Sequence, residues 1–444
     1  MKLPEYVERC VRRLEDAGFA AYAVGGCVRD ALLGIEPHDY DLCTAASPEE
    51  TRQVFAGEKL VLAGLKHGTV GIITPEGVVE TTTFRTEGGY ADSRHPDWVE
   101  FVGTVEEDLA RRDFTVNAMA WSPTRGLADP FGGQADLHAR VLRAVGDPEI
   151  RFREDALRIL RGVRFAVRFG LTVDPETEKA MFRLAPLMEK LARERAFEEL
   201  CKLLPLVTAK DLIRFAPVLT AVIPELAPMV GFDQHSPHHA YDIYTHTAHV
   251  VENTPPMLHL RWAALLHDTG KVPTFTRDET GRGHFYGHAQ ESAAIADAVL
   301  RRLKAPTDLR EQAVTLVNLH MTRIEPEKKV IRRWLGRLGP GTMEDLLNFQ
   351  KADMVSKGVS KDSEMAQHLY LRNLVVQVQA EDACLSVKDL AVNGNDLMAL
   401  GFEGKAIGDC LARLLDAVLD ERLPNDRGAL LEDAKVTLPC HSER

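Results

Sequence analysis

Residues 22–44, YAVGGCVRDALLGIEPHDYDLCT, close an apolar run with a glycine pair, then place Arg29-Asp30 and two aspartates, Asp39 and Asp41. Read as a strand, HDYDLCT sends residues two apart to the same face, so Asp39 and Asp41 stand side by side. Like charges at that range repel and raise each other's pKa unless a cation lies between them. Magnesium, which takes carboxylate and phosphate oxygens, is the natural cation. Gly25-Gly26 lets a backbone turn approach a triphosphate closely, with amides directed at its oxygens. Glu80, on a neighbouring predicted strand, offers a third carboxylate. A bare DxD is also the sequence of a solvated strand end, and GG that of an ordinary turn, so the pair gains meaning from its companions.

A second concentration of chemistry lies between about 235 and 290, in HSPHHAYDIYTHTAHV, LRWAALLHDTGK and GHFYGHAQES. The His267-Asp268 doublet follows an apolar helix, with His246 upstream and His288 downstream, and this pattern resembles an HD-type metal-dependent phosphohydrolase domain. His320 and Asp353 complete the set, and Lys271 is a candidate phosphate contact. Imidazole and carboxylate ligands suit a divalent transition metal or Mg2+, whose bound water becomes a nucleophile. The alternative is an HD fold that keeps the motif without hydrolysis. Isolated histidines such as His138 and His368 read as surface or core residues.

The companions of the aspartate pair carry a further resemblance. GGCVRD with DYD, then RRDFTVNAMA (111–120), DPFGGQADL (129–137), EDALRILRGVRF (154–165) and ERAFEEL (194–200) resemble the ordered motif series of the class II CCA-adding enzymes. These are tRNA nucleotidyltransferases closely related to bacterial poly(A) polymerases. The resemblance covers about residues 20 to 205, and NGNDLMALGFEGKAIGDCLARLLDAVL in the tail is also similar to the family. It implies an α+β protein: an N-terminal, polymerase-beta-like mixed sheet with helices, followed by all-α neck, HD and tail domains. It further implies that Asp39 and Asp41 hold Mg2+ for nucleotidyl transfer. Two metals would activate the primer 3′-hydroxyl and stabilise the departing pyrophosphate in an in-line displacement. Gly26, Arg29, Arg111 and Arg112 become nucleotide contacts to phosphate or sugar, and Asp113 and Asn117 shape the ribose and triphosphate pocket. Any one of these arginines also fits a surface salt bridge.

Asp155 and Arg158 suggest how a base is chosen. On a helix, i and i+3 share a face. A carboxylate accepts hydrogen bonds and a guanidinium donates them. That pair complements cytosine (N4 donates, N3 accepts) and adenine (N6 donates, N1 accepts). Guanine and uracil present the opposite polarity, at about 1–3 kcal/mol for each unsatisfied group. The competing reading is a surface ion pair worth about 0.2–0.5 kcal/mol. The EDxxRxxR context resembles the family's base reader, with Arg161 orienting Asp155 or stacking on the base and Arg195 supporting the pocket. Residues 84–101, with Arg85 and Arg94, resemble the flexible loop that family members need for the terminal A. The implied partners are the tRNA 3′ end, CTP and ATP. A poly(A) polymerase acting on RNA 3′ ends is one alternative; an HD phosphohydrolase with a nucleotide-binding head is the other.

The elements that must position these groups follow from pattern and composition. At 444 residues the chain is expected to divide into three or four domains, and 45% hydrophobic with 27% charged residues describes a globular protein. Residues 1–140 alternate short apolar runs with glycine and proline turns. Strands are predicted at AAYAVGG, HDYDLCT, GTVGIIT and GVVETTTF, the last two joined as a hairpin through Pro75-Glu76-Gly77. Helical periodicity takes over at 141–230, a histidine-rich helical region fills 231–360, and a helical tail follows at 361–444, where Lys405 and Arg413 are candidate tRNA phosphate contacts. MKLPEYVERCVRRLEDAGF is an amphipathic helix without a signal-peptide core, and no apolar run approaches the ~20 residues of a membrane span. Seven cysteines without CxxC spacing suit a reducing cytoplasm. A formal charge of −12 excludes a protein coated in basic surface, but not phosphate binding in one local groove.

Overall fold

A computed structural model describes residues 1–88, 98–236, 240–360, 362–381 and 384–437. The chain forms two compact units, Met1–Ala227 with Arg302–Ala305, and Pro228–Arg301 with Pro306–Arg444. Cys10, Cys27, Cys43, Cys201, Cys384 and Cys410 are free thiols. Among the described residues no helix is long and apolar enough to cross a membrane.

The first unit opens with α1 (Glu5–Asp16), whose Val7, Cys10, Val11 and Leu14 fall on one face and are buried. Next come β1 (Ala21–Val24), α2 (Gly26–Leu32), β2 (Asp41–Thr44), α3 (Pro48–Val54), β3 (Leu60–Val61), β4 (Thr69–Thr74) and β5 (Gly77–Thr83). A separate antiparallel pair joins β6 (Arg85–Gly88) to β7 (Trp98–Phe101). After α4 (Val105–Ala110) and a 3₁₀ turn at Thr115–Asn117, β8 (Ala120–Ser122) and β9 (Gly126–Ala128) complete a seven-stranded sheet of order β3-β4-β5-β2-β1-β8-β9. Its pairs are antiparallel except β2 with β5, so the sheet is mixed, as expected. The β4–β5 hairpin turns at Pro75-Glu76, with Thr74 paired to Gly77. Tyr22, Val24, Cys43, Phe84, Leu109, Ala118 and Ala120 form a core against this sheet.

One strand expectation needs correction. β2 starts at Asp41, and Asp39 lies in the preceding loop, so the two carboxylates do not share a strand face. The register pairs Ala23 with Leu42, and the chain leaves β1 at Gly25, whose φ is +77°. The β1–β2 register therefore stops short of Tyr40 and Asp39, and Tyr40 packs its ring edge-on to Tyr6.

The rest of the unit is helical: α5 (Gly133–His138), α6 (Pro148–Glu154), α7 (Leu157–Phe169), α8 (Pro175–Leu184), α9 (Arg193–Leu203), α10 (Ala209–Arg214) and α11 (Ala216–Val222). Short strands β10 (Val141–Leu142) and β11 (Thr172–Val173) pair in parallel across α6 and α7. The EDALR segment is not one helix. α6 ends at Glu154 and Asp155 is extended, with φ −143° and ψ 104°. Its carboxylate accepts the N–H of Leu157 at 3.0 Å, a local bond that competes with continuing the helix. Asp155 and Arg158 are therefore not an i,i+3 pair on one helix face.

The second unit contains α12 (Ile243–Asn253), α13 (Leu258–Leu266), a small hairpin of β12 (Thr276–Arg277) and β13 (Gly283–His284), α14 (His288–Arg302), α15 (Thr307–Leu319), α16 (Lys328–Val355, kinked at Gly339) and α17 (Asp362–Glu381). Helices α18 (Gly394–Ala399), α19 (Lys405–Leu419) and α20 (Arg427–Val436) close over a separate core that includes Val392, Leu397, Phe402, Leu414 and Leu430.

Candidate functional site

In the first unit the separated motifs meet at one cleft of about 710 Å³. Its floor begins at Gly25. The φ of +77° with ψ −120° belongs to glycine, and a Cβ there would come within 2.9 Å of Arg112 Nη1. Arg112 is in turn anchored by Asp108, which is fully buried in α4 and takes Arg111 Nη2 at 2.8 Å and Arg112 Nη2 at 3.1 Å. From α2, Arg29 donates to Asn117 Oδ1 at 2.5 Å and to Asp30, while its guanidinium stacks 4.3 Å from the Phe169 ring centre. Asn117 Nδ2 donates to Asp113 Oδ1 at 3.0 Å, and Arg161 of α7 donates to Asp113 Oδ2 at 2.8 Å. Asp155 is gripped by Arg195 of α9, with Nη2 to Oδ2 at 2.8 Å.

The glycine-rich DPFGG segment supports this wiring from behind. A Cβ on Gly133 would sit 2.2 Å from the Thr115 carbonyl oxygen, so only glycine lets α5 approach the 3₁₀ turn that carries Asn117. Thr115 Oγ1 donates to Asp136 at 2.8 Å across the same contact.

Asp41 opens into the cleft and faces Glu80 in the parallel β2–β5 register. Desolvation first, then the charges of Glu80 and Asp39, push its carboxyl above the usual range against the pull of Arg112. Asp39 lies at the cleft rim, solvent-exposed, with its carboxylate 3.2 Å from His38. The acidic donor set, all oxygen and mutually repelling, fits a hard divalent cation.

Several residues sit differently from their sequence-based roles. Arg29 is buried, and its bonds to Asp30 and Asn117 make it a brace of the wall more than a phosphate contact. Burial lowers its pKa, with Asp30 opposing. Arg161 reaches Asp113, and it is Arg195 that orients Asp155. Arg158 lines the cleft, but it donates to Glu154 at 2.8 Å and to the carbonyls of Arg151 and Arg111 at 3.3 and 2.9 Å. The centre of the 84–101 loop, Arg94 included, lies outside the described residues. Asp108 escaped the sequence reading, although its spacing three and four residues before Arg111 and Arg112 is the signal of a shared counter-ion. Arg164, Arg168 and Lys202 also line the cleft unforeseen, with Arg164 fixed to Glu199 at 2.5 Å.

Burial would raise Asp113, but Arg161 and hydrogen bonds from Asn117 and Arg161 overcome it and hold the carboxyl at about 2. A folded-state pKa below the unfolded value contributes stability above the unfolded pKa that is lost as pH falls through the folded one. Acid unfolding of the wild type should therefore steepen between about pH 4 and pH 2, and Asp113→Asn should remove that component. Stability measured by denaturant midpoint at pH 7 and pH 3 checks this: the gap between the two should be narrower in the variant.

The second unit converges five helices on a buried centre. His246 (α12), His267 and Asp268 (after α13), His288 (start of α14), His320 (after α15) and Asp353 (α16) all meet there. His246 Nε2 lies 3.1 Å from Asp353 Oδ1 and 3.5 Å from Asp268 Oδ2; His267 Nε2 lies 3.2 Å from Asp268 Oδ2. Each histidine turns Nδ1 to a backbone carbonyl, of Ser356, Ala264, Phe285 and Val317 respectively for His246, His267, His288 and His320, at 2.6–3.2 Å. A carbonyl only accepts, so Nδ1 carries a proton in each ring; with a cation bound at the centre, Nε2 would present its lone pair to it, the tautomer of a metal ligand. Burial, aided by His267, lowers His320 to about 3, and burial also lowers His288. Lys271 is sequestered between Asp268 Oδ2 and Gln234 Oε1, at 2.8 Å each, and does not stand open to a phosphate. Lys357, missed in the sequence, pairs with Asp353 at 2.9 Å. A cleft of about 950 Å³ opens beside His320, Asp353 and Lys357. His368, buried, lines that cleft. In the tail Arg413 pairs with Asp433, whereas Lys405 is exposed at the start of α19.

Comparison with known proteins adds to this geometry. Residues 21–143 match the family described as Poly A polymerase head domain, residues 170–228 the Probable RNA and SrmB- binding site of polymerase A, and residues 285–434 the putative tRNA nucleotidyltransferase domain 2. The chain is 34% identical to the CCA-adding enzyme of Latilactobacillus sakei over 97% of its length and 98% of that protein's. It is likewise 34% identical to the CCA-adding enzyme of Lactiplantibacillus plantarum, over 96% of this chain and 94% of the relative. The crystal structure of the Bacillus stearothermophilus CCA-adding enzyme in complex with CTP superposes with a TM-score of 0.71 at 28% identity, covering 98% and 97% of the two chains.

Proposed function

The chain belongs to the CCA-adding enzymes, and on that premise we propose that its first unit adds C, C and A in order to the 3′ end of tRNA, taking CTP and ATP, releasing pyrophosphate and using no nucleic-acid template. The observation that carries this reading is the cleft: nine basic side chains and five acidic ones line it, in a chain whose formal charge is −12. Such a local excess attracts a triphosphate and an RNA end while the remaining surface repels polyanions.

The family's nucleotidyl transfer depends on a divalent metal, and we assign Mg2+ to Asp41 and Asp39. Bound there, the metal supplies activation of the primer 3′-hydroxyl and relief of charge on the triphosphate. The chain's own residues do the rest. Gly25-Gly26 keeps the floor free of side chains so that phosphates approach the backbone, and Arg111 and Arg112, held by Asp108, present positive charge beside it. The Arg29–Asn117–Asp113–Arg161 series fixes the wall where the ribose would lie. Asp155, oriented by Arg195, supplies an acceptor for an exocyclic amine, and Arg158 supplies the donor for the neighbouring ring nitrogen.

We assign residues 1–140 as the nucleotidyltransferase head, 141–230 as the neck that reads the base and holds RNA, 231–360 as the HD-type domain and 361–444 as a tRNA-binding tail. We place the protein in the cytoplasm, which suits its free thiols. The buried histidine–aspartate centre supports a second activity, metal-dependent phosphoester hydrolysis, in residues 231–360.

The test is single-nucleotide incorporation on a tRNA transcript lacking its 3′ trinucleotide. With Mg2+, CTP alone should extend it by two residues, and a transcript ending in CC should accept one A from ATP. An unlimited A tract would indicate a poly(A) polymerase, and no incorporation would overturn the assignment.

A further inference from the structure

We propose that Asp108 is a positioning residue for nucleotidyl transfer: its buried carboxylate joins the β6–β7 hairpin to Arg111 and Arg112, so that the seating of the hairpin fixes where the triphosphate is held. This rests on the nucleotide reading of the cleft and adds a coupling between two elements which that reading leaves separate. Asp108 is fully buried, which is costly for a carboxylate unless its oxygens are paired. Oδ1 accepts Nε and Nη2 of Arg111 at 3.1 and 2.8 Å and the backbone N–H of Arg85 at 3.3 Å. Oδ2 accepts Nη2 of Arg112 at 3.1 Å. Two guanidinium charges meet one carboxylate, so a net positive charge is left for the cleft that both arginines line. Burial would raise the Asp108 carboxyl, but the two arginines outweigh it and hold it below the ordinary range, ionised at neutral pH. Arg112 is bounded on its other side as well, because its Nη1 lies where a Cβ on Gly25 would come within 2.9 Å.

The hairpin side is equally defined. Arg85 is the first residue of β6 and pairs with Phe101 of β7. Phe84, just before it, is buried; its N–H donates to the Thr44 carbonyl of β2 at 2.7 Å, and its carbonyl accepts the Val102 N–H at 2.9 Å. The next N–H, that of Arg85, goes to Asp108. An unbroken series therefore runs from β2, which begins at Asp41, through the hairpin stem and Asp108 to the arginines at the glycine floor. Hydrogen bonds to an ionised, buried carboxylate are short and strong, so a displaced stem carries the arginines with it. Small displacements of groups that hold a reacting substrate are costly in rate.

Equilibrium dialysis of CTP and of cytidine against the full-length chain with Mg2+ and no tRNA tests this. Asp108→Asn keeps the shape of the side chain and removes its charge. CTP affinity should fall by about 10- to 100-fold while cytidine affinity stays within about twofold, because only the phosphates meet the arginines. Parallel losses for the two ligands would mark a merely structural carboxylate and overturn the role. In an Arg111→Ala/Arg112→Ala background the same substitution should add little, and an equal further loss of CTP affinity there would also overturn it. Arg85→Pro removes the backbone donor that Arg85→Ala leaves in place, at the first residue of a strand, where proline is tolerated. It should bind CTP about fivefold more weakly than Arg85→Ala, the worth of one hydrogen bond. Equal affinities would separate the hairpin from the arginines and overturn the coupling. If Asp108→Asn does not fold, the Arg85 pair decides. Absence of CTP binding by the parent would overturn the nucleotide reading of the cleft, and the coupling with it.

Discussion

An Asp41→Ala chain is expected to lose CMP and AMP incorporation by about a thousandfold or more, the scale of several kcal/mol of metal-supplied charge stabilisation. Asp41 is the first residue of β2, paired with Glu80 of β5 and followed directly by Leu42, which pairs with Ala23 of β1, so its carboxylate has a defined position in the cleft. Asp39 sits in the loop before the strand and is exposed. The same substitution at Asp39 should therefore cost less, because a loop carboxylate is less firmly placed. Alanine at Asp41 also removes repulsion from Glu80, so folding should not suffer. Incorporation assays and thermal melts separate these effects. Cobalt binding in the second unit should be unchanged by Asp41→Ala; its loss together with incorporation would contradict two independent sites.

The second large effect concerns choice of base. Arg158→Ala should lower discrimination of CTP against UTP by roughly 5- to 150-fold, the equivalent of about 1–3 kcal/mol for one mispaired polar group. Arg158 also braces the carbonyls of Arg111 and Arg151, so kcat with CTP should fall as well. The two roles are separable by comparing kcat/KM for CTP and UTP in the same variant. A merely structural Arg158 would depress both equally, and an unchanged ratio would reject the hydrogen-bond account. Arg195→Ala should act in the same direction through Asp155, whose carboxylate it orients.

What was legible in the sequence follows a physical boundary. Residue types and short spacings exposed Asp41, the β4–β5 hairpin and the His267-Asp268 centre, because these depend on local pattern, whereas the mixed sheet was implied by the family resemblance. The order of the motifs pointed to one nucleotide pocket, and the Arg29–Asn117–Asp113–Arg161 series is how those motifs meet. Which partner each arginine takes was not legible, since it is decided by tertiary packing: Arg161 belongs to Asp113, and Arg195 to Asp155. Asp39 was misplaced because strand length depends on the neighbour, and β1 ends at Gly25. The break after Glu154 was hidden because EDALRILRGVRF has helical periodicity throughout; the Asp155 carboxylate bonding to Leu157 decides it. Asp108 was overlooked among neighbouring acids, although its complete burial separates it from Glu106 and Glu107.

The central claim is that one protein pocket selects C, then C, then A without a template. Sequencing the 3′ ends formed on a tRNA ending at its unpaired terminal base, with all four nucleoside triphosphates in equal excess, tests it most directly. The cleft described here predicts products ending in CCA and extending no further. A run of A, or U and G incorporated at rates comparable to C, would contradict it.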